Sequence, residues 1–220
     1  MAVALYVDFN SQPSRAVVAF CQLAQIPHFI VPTDVLTGQT RSPEYARLNP
    51  NRLVPTIQHG EVVIYESGAI LAYLAGAFAV AEHWYPREVQ VRARVDWYLH
   101  WHHSHLRLSC GTYFYRMYVK PRLSGREMPL AYKAELEELQ IQSLNRLDAI
   151  LSQNKYVAGT LEPTIADIQC ICELTQLFIM GKDYREYPSL AKWMRNMWEL
   201  EPIRKVHAKI IETFGLNPSL

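Results

Sequence analysis

Over its first eighty or so residues the chain changes structural character every few positions, and from about residue 87 onward it reads only as helix. Leu5-Tyr6-Val7 is a short strand. Ser11-Gln12-Pro13 then opens a helix, because serine is a favourable N-cap and proline is tolerated only in a first helical turn. Val17, Phe20, Cys21 and Ala24 share one face of that helix, and Pro27 ends it. His28 to Pro32 is a second strand, and the intervening helix makes the two strands parallel. Ser42-Pro43-Glu44 starts another helix, and Asn49-Pro50 stops it. Val54 to Gln58 is a third strand. A three-residue turn, His59-Gly60-Glu61, leads to a fourth strand from Val62 to Tyr65. Ser67 then starts a helix through about Phe78, which packs Ile70, Leu71 and Leu74.

The resulting order, β-α-β-α-β-β-α, is a parallel βαβ unit followed by an antiparallel hairpin and a helix, which is the thioredoxin arrangement. The expected fold class is α+β, a thioredoxin-like domain over residues 1–79 followed by an all-α domain over residues 87–220. Trp84-Tyr85-Pro86 marks the junction. In the second domain one long helix is predicted from Glu88 to about Tyr118, broken by Pro121. Another runs from Pro129 to about Ser152, with Leu136, Leu144, Leu147 and Leu151 in its stripe. Thr164-Ile165-Ala166-Asp167 is a capping box that opens a helix to about Met180. Pro188 and Pro202 open two more.

Several function classes drop out on composition. The formal net charge of the 220 residues is +1, so no long-range field points to nucleic acid or to an anionic membrane. Lys120-Pro121-Arg122 is too short a basic patch to change that. The start lacks a secretory leader, and no apolar run is long enough to span a bilayer. Cys21, Cys110, Cys170 and Cys172 have no metal-binding spacing and read as buried, reduced thiols of a cytoplasmic protein.

Three features of the first domain carry chemistry. Ser11 stands at a helix N-terminus, whose positive end stabilises an anion. A free thiol has a pKa near 8.5, and such a site lowers it by about a unit or more. The alternative is a plain N-cap. Val54-Pro55 enters a strand. In the cis form it would expose an open backbone edge on which a peptide pairs, and in the trans form it is an ordinary strand start. Glu66-Ser67 joins a carboxylate to a helix N-terminus, a pair suited to a zwitterionic amino-acid head or, alternatively, a simple cap. A thiolate stabiliser, a peptide edge and a zwitterion clamp together match γ-Glu-Cys-Gly.

On the runs Ser11-Gln12-Pro13-Ser14-Arg15-Ala16, Asn49-Pro50 with Val54-Pro55, and Glu66-Ser67-Gly68-Ala69-Ile70, the chain resembles the glutathione S-transferases. Leu106-Arg107-Leu108-Ser109-Cys110 and Thr164-Ile165-Ala166-Asp167 match as well, and the Ser11-Gln12-Pro13 opening with the run from Trp84-Tyr85-Pro86 to Arg92-Ala93-Arg94-Val95-Asp96 is most similar to the theta class. The resemblance implies a homodimeric transferase that joins glutathione to a small electrophile, with no metal, nucleic acid or membrane partner. It implies that Ser11 donates a hydrogen bond to the thiolate and that Arg107 steadies the thiolate or an anionic leaving group. It assigns glutathione binding to Gln12, Thr40, Arg41, Leu53, Val54, Pro55, Glu66 and Ser67. Theta proteins usually carry His where Thr40 stands and Lys where Leu53 stands, near the glycyl carboxylate, so Arg41 or Arg52 is the substitute here. The chain also stops at Leu220, before the additional segment that lids theta sites, so a more open pocket and bulkier electrophiles are expected.

His100, His102, His103 and His105 form i,i+3 pairs on the long helix, but no carboxylate or cysteine joins them at ligand spacing. They and the neighbouring aromatics Trp97, Tyr98, Trp101, Tyr113, Phe114, Tyr115 and Tyr118 read as pocket wall, core or interface. Asp167 reads as structural. The rivals are a non-catalytic glutathione or apolar-ligand binder of the same fold, a glutathione-dependent isomerase or dehalogenase, and a cysteine redox enzyme. The last lacks a cysteine at Ser11 or Ser14, where such a fold needs one.

Overall fold

The computed structural model describes residues 1–179 and 181–214. Met180, where the helix opened by Thr164 is expected to end, and Leu220, whose position bears on pocket openness, lie outside them. The first half runs β1 (Val3–Val7), α1 (Gln12–Leu23), β2 (His28–Pro32), α2 (Pro43–Leu48), β3 (Thr56–His59), β4 (Val62–Tyr65) and α3 (Ser67–Ala77). The strands form one sheet of order β2-β1-β3-β4. β1 and β2 are parallel, and both β1/β3 and β3/β4 are antiparallel. This is the thioredoxin-like arrangement that the element order implies.

Three local details differ from the sequence reading. β1 begins two residues earlier, at Val3, because Val3 and Ala4 pair with His28 and Phe29 of β2. β3 begins at Thr56 rather than Val54, since the peptide bond before Pro55 is cis and pairing starts beyond it. The hairpin turn is two residues, with His59 still paired to Val62 and Gly60 taking the left-handed conformation (φ 63°) that the turn demands.

The second half is helical: α4 (Val89–Ser104), α5 (Lys120–Ser124), α6 (Leu130–Gln153), α7 (Ile165–Ile179), α8 (Pro188–Trp198) and α9 (Glu201–Phe214). The sequence reading breaks the first long helix at Pro121. The structure instead ends α4 at Ser104, His105 leaving the helical conformation (φ −121°, ψ −77°), and from Leu106 carries helical backbone into α5 through two wide π-helical stretches, Arg107–Thr112 and Tyr115–Val119. Pro121 sits in the first turn of α5, where its missing N–H is tolerated. The widened turn ahead of it makes room for a ring that would strike the preceding carbonyl in a regular helix.

The junction is clasped by its own motif. Tyr85 donates to Asp96 (2.8 Å) while the Arg92 guanidinium lies 4.6 Å over its ring, and Arg92 Nε donates to Pro86 O (2.7 Å). Across it, α7 packs against both α1 and α4. α7 is buried almost throughout, from Ile165 to Leu177. Among the described residues, no helix is long and apolar enough to cross a membrane.

α7 starts on the capping box. Asp167 accepts from the Thr164 N–H (2.9 Å) and hydroxyl (3.0 Å), and Thr164 Oγ1 accepts from Ala166 N (3.2 Å). Asp167 also accepts from Val157 N (3.1 Å) and Trp193 Nε1 (3.0 Å), so one buried carboxylate ties α7 to α8 and to the loop before it. Burial pushes its carboxyl up while those donors pull it down, leaving it above the ordinary aspartate value. Asp167→Ala strands two backbone donors and an indole N–H out of reach of water. It is expected to cost about 3–5 kcal/mol in urea unfolding, where Asp183→Ala at the surface should leave the urea midpoint nearly unchanged.

Candidate functional site

A cleft of about 140 Å³, open to solvent, lies between the two halves. Three stretches of the first half form one side of it. The loop before β3 supplies Leu53, Val54 and Pro55, the start of α3 supplies Glu66 and Ser67, and the start of α1 supplies Pro13. Helices of the second half close the other side with His102, Arg107, Gln169 and Glu173.

The loop is shaped by a buried asparagine. Asn49, the C-cap of α2, donates to Leu53 O (2.9 Å) and Thr56 Oγ1 (2.9 Å) and accepts from Asn51 N (2.9 Å). Leu53 O also accepts from Tyr45 OH (2.7 Å) and Thr56 Oγ1 (3.2 Å). With that carbonyl occupied and the following Val54–Pro55 bond cis, Val54 lies outside every strand pairing. Its backbone borders the cleft.

Glu66 caps α3 from a left-handed conformation, φ 71° and ψ 114°, a region few non-glycine residues occupy. Its carboxylate makes no hydrogen bond within the chain among the described residues. Ser67 is buried, and its Oγ accepts from Gln169 Nε2 (3.3 Å) on α7. Gln169 is 3% exposed, and its Oε1 has no partner.

Ser11 is the N-cap residue of α1, yet its hydroxyl makes no capping bond. The turn before it is held by other groups. Ser11 N donates to Asp8 O (2.9 Å) and Asn10 N to Asp8 Oδ1 (2.9 Å). The buried Arg15 guanidinium donates to Phe9 O (2.8 Å), Cys172 O (3.3 Å) and Gln176 Oε1 (2.7 Å), which fixes the turn against α7. Burial lowers the Arg15 pKa from 12.5 to about 10, so it stays charged at neutral pH.

Arg107 sits in the first wide π-helical stretch and is half-buried. Its Nη1 donates to Glu173 Oε2 (3.1 Å) and to Gln12 Oε1 (3.1 Å), so it bridges α7 and α1 across the cleft. Glu173 Oε2 also lies 3.4 Å from His102 Nε2, both side chains being buried, and His102 Nδ1 is 3.3 Å from Tyr98 OH. Burial pushes the Glu173 carboxyl up, but the Arg107 charge and the His102 hydrogen bond outweigh it and hold the carboxyl below its ordinary value. Burial likewise lowers His102, outweighing its bond to Glu173. The set is thus an ionised Glu173, a cationic Arg107 and a neutral His102 whose Nε2–H donates to the carboxylate while Nδ1 accepts from Tyr98. Gly111 leaves the space this needs: a Cβ there would lie 2.5 Å from Glu173 Oε1 and 2.8 Å from Arg107 Nη1.

Of the residues singled out from sequence, Leu53, Val54, Pro55, Glu66, Ser67 and Arg107 share the cleft wall. Gln12 joins through its bond to Arg107. Ser11 precedes the wall residue Pro13 without lining the wall itself, Thr40 is buried, and Arg41 is exposed away from the wall. The histidine cluster separates: His102 turns inward to Glu173, while His105 stacks on Trp101. No group of three metal-ligating side chains is placed around a cation site among the described residues. Glu173 and Gln169 are the site residues that sequence reasoning missed. Their signal was present, as polar side chains inside the apolar run from Ile168 to Leu177.

A family model described as glutathione S-transferase, N-terminal domain, matches residues 1–76, and one described as glutathione S-transferase, C-terminal domain, matches residues 108–201. Glutathione S-transferase T1 of Arabidopsis thaliana is 36% identical over 206 residues, covering 89% of this chain and 83% of the relative. A human theta-2 transferase solved in complex with glutathione and an unknown ligand superposes with a TM-score of 0.91 at 30% identity, covering 97% of this chain and 89% of that one. A human theta-class transferase in complex with the glutathione conjugate of 1-menaphthyl sulfate superposes with a TM-score of 0.91 at 31% identity, covering 98% and 89%.

The buried histidines set the acid stability. His102 and His207 both have folded pKa values lowered from 6.5, so below that pH the unfolded chain binds protons that the fold refuses. Stability is therefore expected to fall as pH drops through about 6.5. A second loss follows below the ordinary glutamate value of 4.5, where the unfolded Glu173 protonates before the folded one. Urea unfolding at stepped pH measures this, and His207→Gln should flatten the first decline.

Proposed function

The chain belongs to the glutathione S-transferase family and its theta-class relatives make it a glutathione transferase; on that premise we propose that this cleft holds glutathione, with Ser11 stabilising its thiolate and Arg107 the charge that departs. The observation that carries the proposal is the convergence of the Val54–cis-Pro55 edge, the Glu66–Ser67 pair and Arg107 on one cleft. The glutathione bound in the human theta-2 relative supports the choice of ligand.

Each part of the tripeptide has a chemical counterpart. The unpaired backbone of Val54 offers the cysteinyl residue an N–H and a C=O, as an added strand would. The free Glu66 carboxylate receives the γ-glutamyl ammonium. The Ser67 hydroxyl and the first N–H groups of α3 receive the γ-glutamyl carboxylate. Arg52, exposed and next to the wall residue Leu53, or Arg41 would supply the cation for the glycyl carboxylate.

The Ser11 hydroxyl, not engaged in capping, is free to donate to the cysteinyl sulfur at the positive end of α1. Donating to the anion favours ionisation, so more thiolate is present at neutral pH. The sulfur lone pair then forms the new bond to the electrophilic carbon, and the leaving group departs with its electron pair. Ser11 forms no covalent bond. Arg107 stands on the cleft wall, where it would meet the charge gathering on a leaving anion such as sulfate. Residues 1–79 thus hold glutathione and residues 87–220 the electrophile. Trp97 of α4, exposed and stacked on the half-buried Trp101, offers an apolar surface for the pairing of two chains.

The test is the ultraviolet thiolate absorbance of bound glutathione against pH. The wild type should show a thiol pKa at least about one unit below the free value near 8.5, and Ser11→Ala should restore the free value and lower kcat by about 10²–10³-fold. An unshifted wild-type pKa would leave only a binding protein. Arg107→Ala should slow release of a sulfate leaving group by about tenfold or more while changing glutathione affinity little, read from kcat against KM over paired sulfate and neutral substrates. Light scattering at the mass of a single chain would refute the dimer.

A further inference from the structure

The amide of Gln169 is a buried polar side chain on the cleft wall that is only half used. It comes from α7, in the second half of the molecule, and reaches the start of α3 in the first. Its Nε2 donates to Ser67 Oγ (3.3 Å), and its Oε1 has no partner although the residue is 3% exposed. A buried carbonyl oxygen without a donor costs free energy, so such an atom on a cleft wall marks the place of a missing donor.

The neighbours say which kind of donor is missing. Gly68 has no side chain to cover the oxygen, and even a Cβ there would stand 3.7 Å from it. The carboxylate of Glu66, two residues before Gly68, lines the same cleft. The Glu66 carboxylate and the unpaired Gln169 oxygen, both on this cleft wall near the start of α3, form a set of acceptors. A cation with several N–H bonds satisfies both, and a primary ammonium has three. The Ser67 hydroxyl completes the set: its oxygen already accepts from Gln169, so its own hydrogen is turned outward, toward the carboxylate attached to the same carbon as the ammonium.

We propose that Gln169 is a specificity-determining residue of the ligand site, its Oε1 accepting a hydrogen bond from the free α-ammonium of the γ-glutamyl group while its Nε2 orients the Ser67 hydroxyl toward the adjoining carboxylate. This rests on the reading of the cleft as a glutathione site. It adds a residue of the helical domain to the recognition of the γ-glutamyl head, and it makes an unblocked amine a requirement. Gln169 touches no reacting atom, so its effect falls on affinity and selectivity rather than on the thiolate.

Dissociation constants for glutathione and for N-acetylglutathione, whose amine is an uncharged amide, would be measured by titration calorimetry on the wild type, Gln169→Leu and Gln169→Glu. The wild type should discriminate strongly against the acetylated ligand. Gln169→Leu should weaken glutathione by about tenfold or more and leave N-acetylglutathione nearly unchanged, so that the selectivity ratio falls by that factor. Gln169→Glu, which keeps an acceptor, should retain or raise the ratio, and it decides the matter if the leucine variant fails to fold. An unchanged ratio in Gln169→Leu, or a collapsed one in Gln169→Glu, overturns the role of Gln169 while leaving the glutathione site intact. A wild type that binds no glutathione overturns both.

Discussion

The molecule depends on what α7 does with its polar side chains. A helix buried on all sides cannot turn a carboxylate or an amide to water, and each one must find a partner or carry a large cost. Asp167 spends its oxygens on its own cap, on the loop before it and on α8. Gln169, Glu173 and Gln176 stand at i, i+4 and i+7, on one face, and every one of their partners lies at the domain boundary or beyond it. Gln169 holds Ser67, Glu173 holds Arg107 and His102, and Gln176 holds Arg15. The thioredoxin-like half is thereby registered on the helical half by polar contacts whose geometry is narrow, where apolar packing alone would tolerate sliding.

That stripe also places the chemistry. Arg15 fixes the turn that ends at Ser11, Arg107 reaches the cleft because Glu173 anchors it, and Ser67 is oriented from behind by an amide. Ser67, Arg107 and Arg15 are each held by a buried side chain of α7. The arrangement leaves Arg107 half-buried beside an ionised partner, so it presents its remaining N–H groups without exposing a bare charge. The space for this exists because position 111 has no side chain and because the helix widens there.

Features set by near neighbours in sequence were legible in it. β2 and β4 have the residues expected, α1 opens at its Ser-Gln-Pro run, and the Thr164–Asp167 box caps α7, since each follows from local hydrogen bonding or hydrophobic alternation. The Glu66–Ser67 start of α3 and the Val54–Pro55 step before β3 were legible as local features for the same reason. Glu173 and Gln169 were not, because their partners lie 66 and 102 residues away and only folding supplies them. Their spacing was nonetheless visible as polar interruptions of an apolar helix. The passage of the helix through Pro121 was misjudged because a proline's usual effect was applied without the wide turn that accommodates it.

Glu66 sets two demands against each other. Its backbone occupies a conformation in which a glycine would be more comfortable, and its side chain is the one carboxylate at the start of α3. No natural residue satisfies both, so the position cannot be improved for one purpose without loss to the other. A glycine there would ease the backbone and in the same step remove the carboxylate that borders the cleft at the start of α3, so relief of the chain and retention of that charge pull in opposite directions. Evolutionary tolerance at position 66 therefore reports on what a given population is being asked to do.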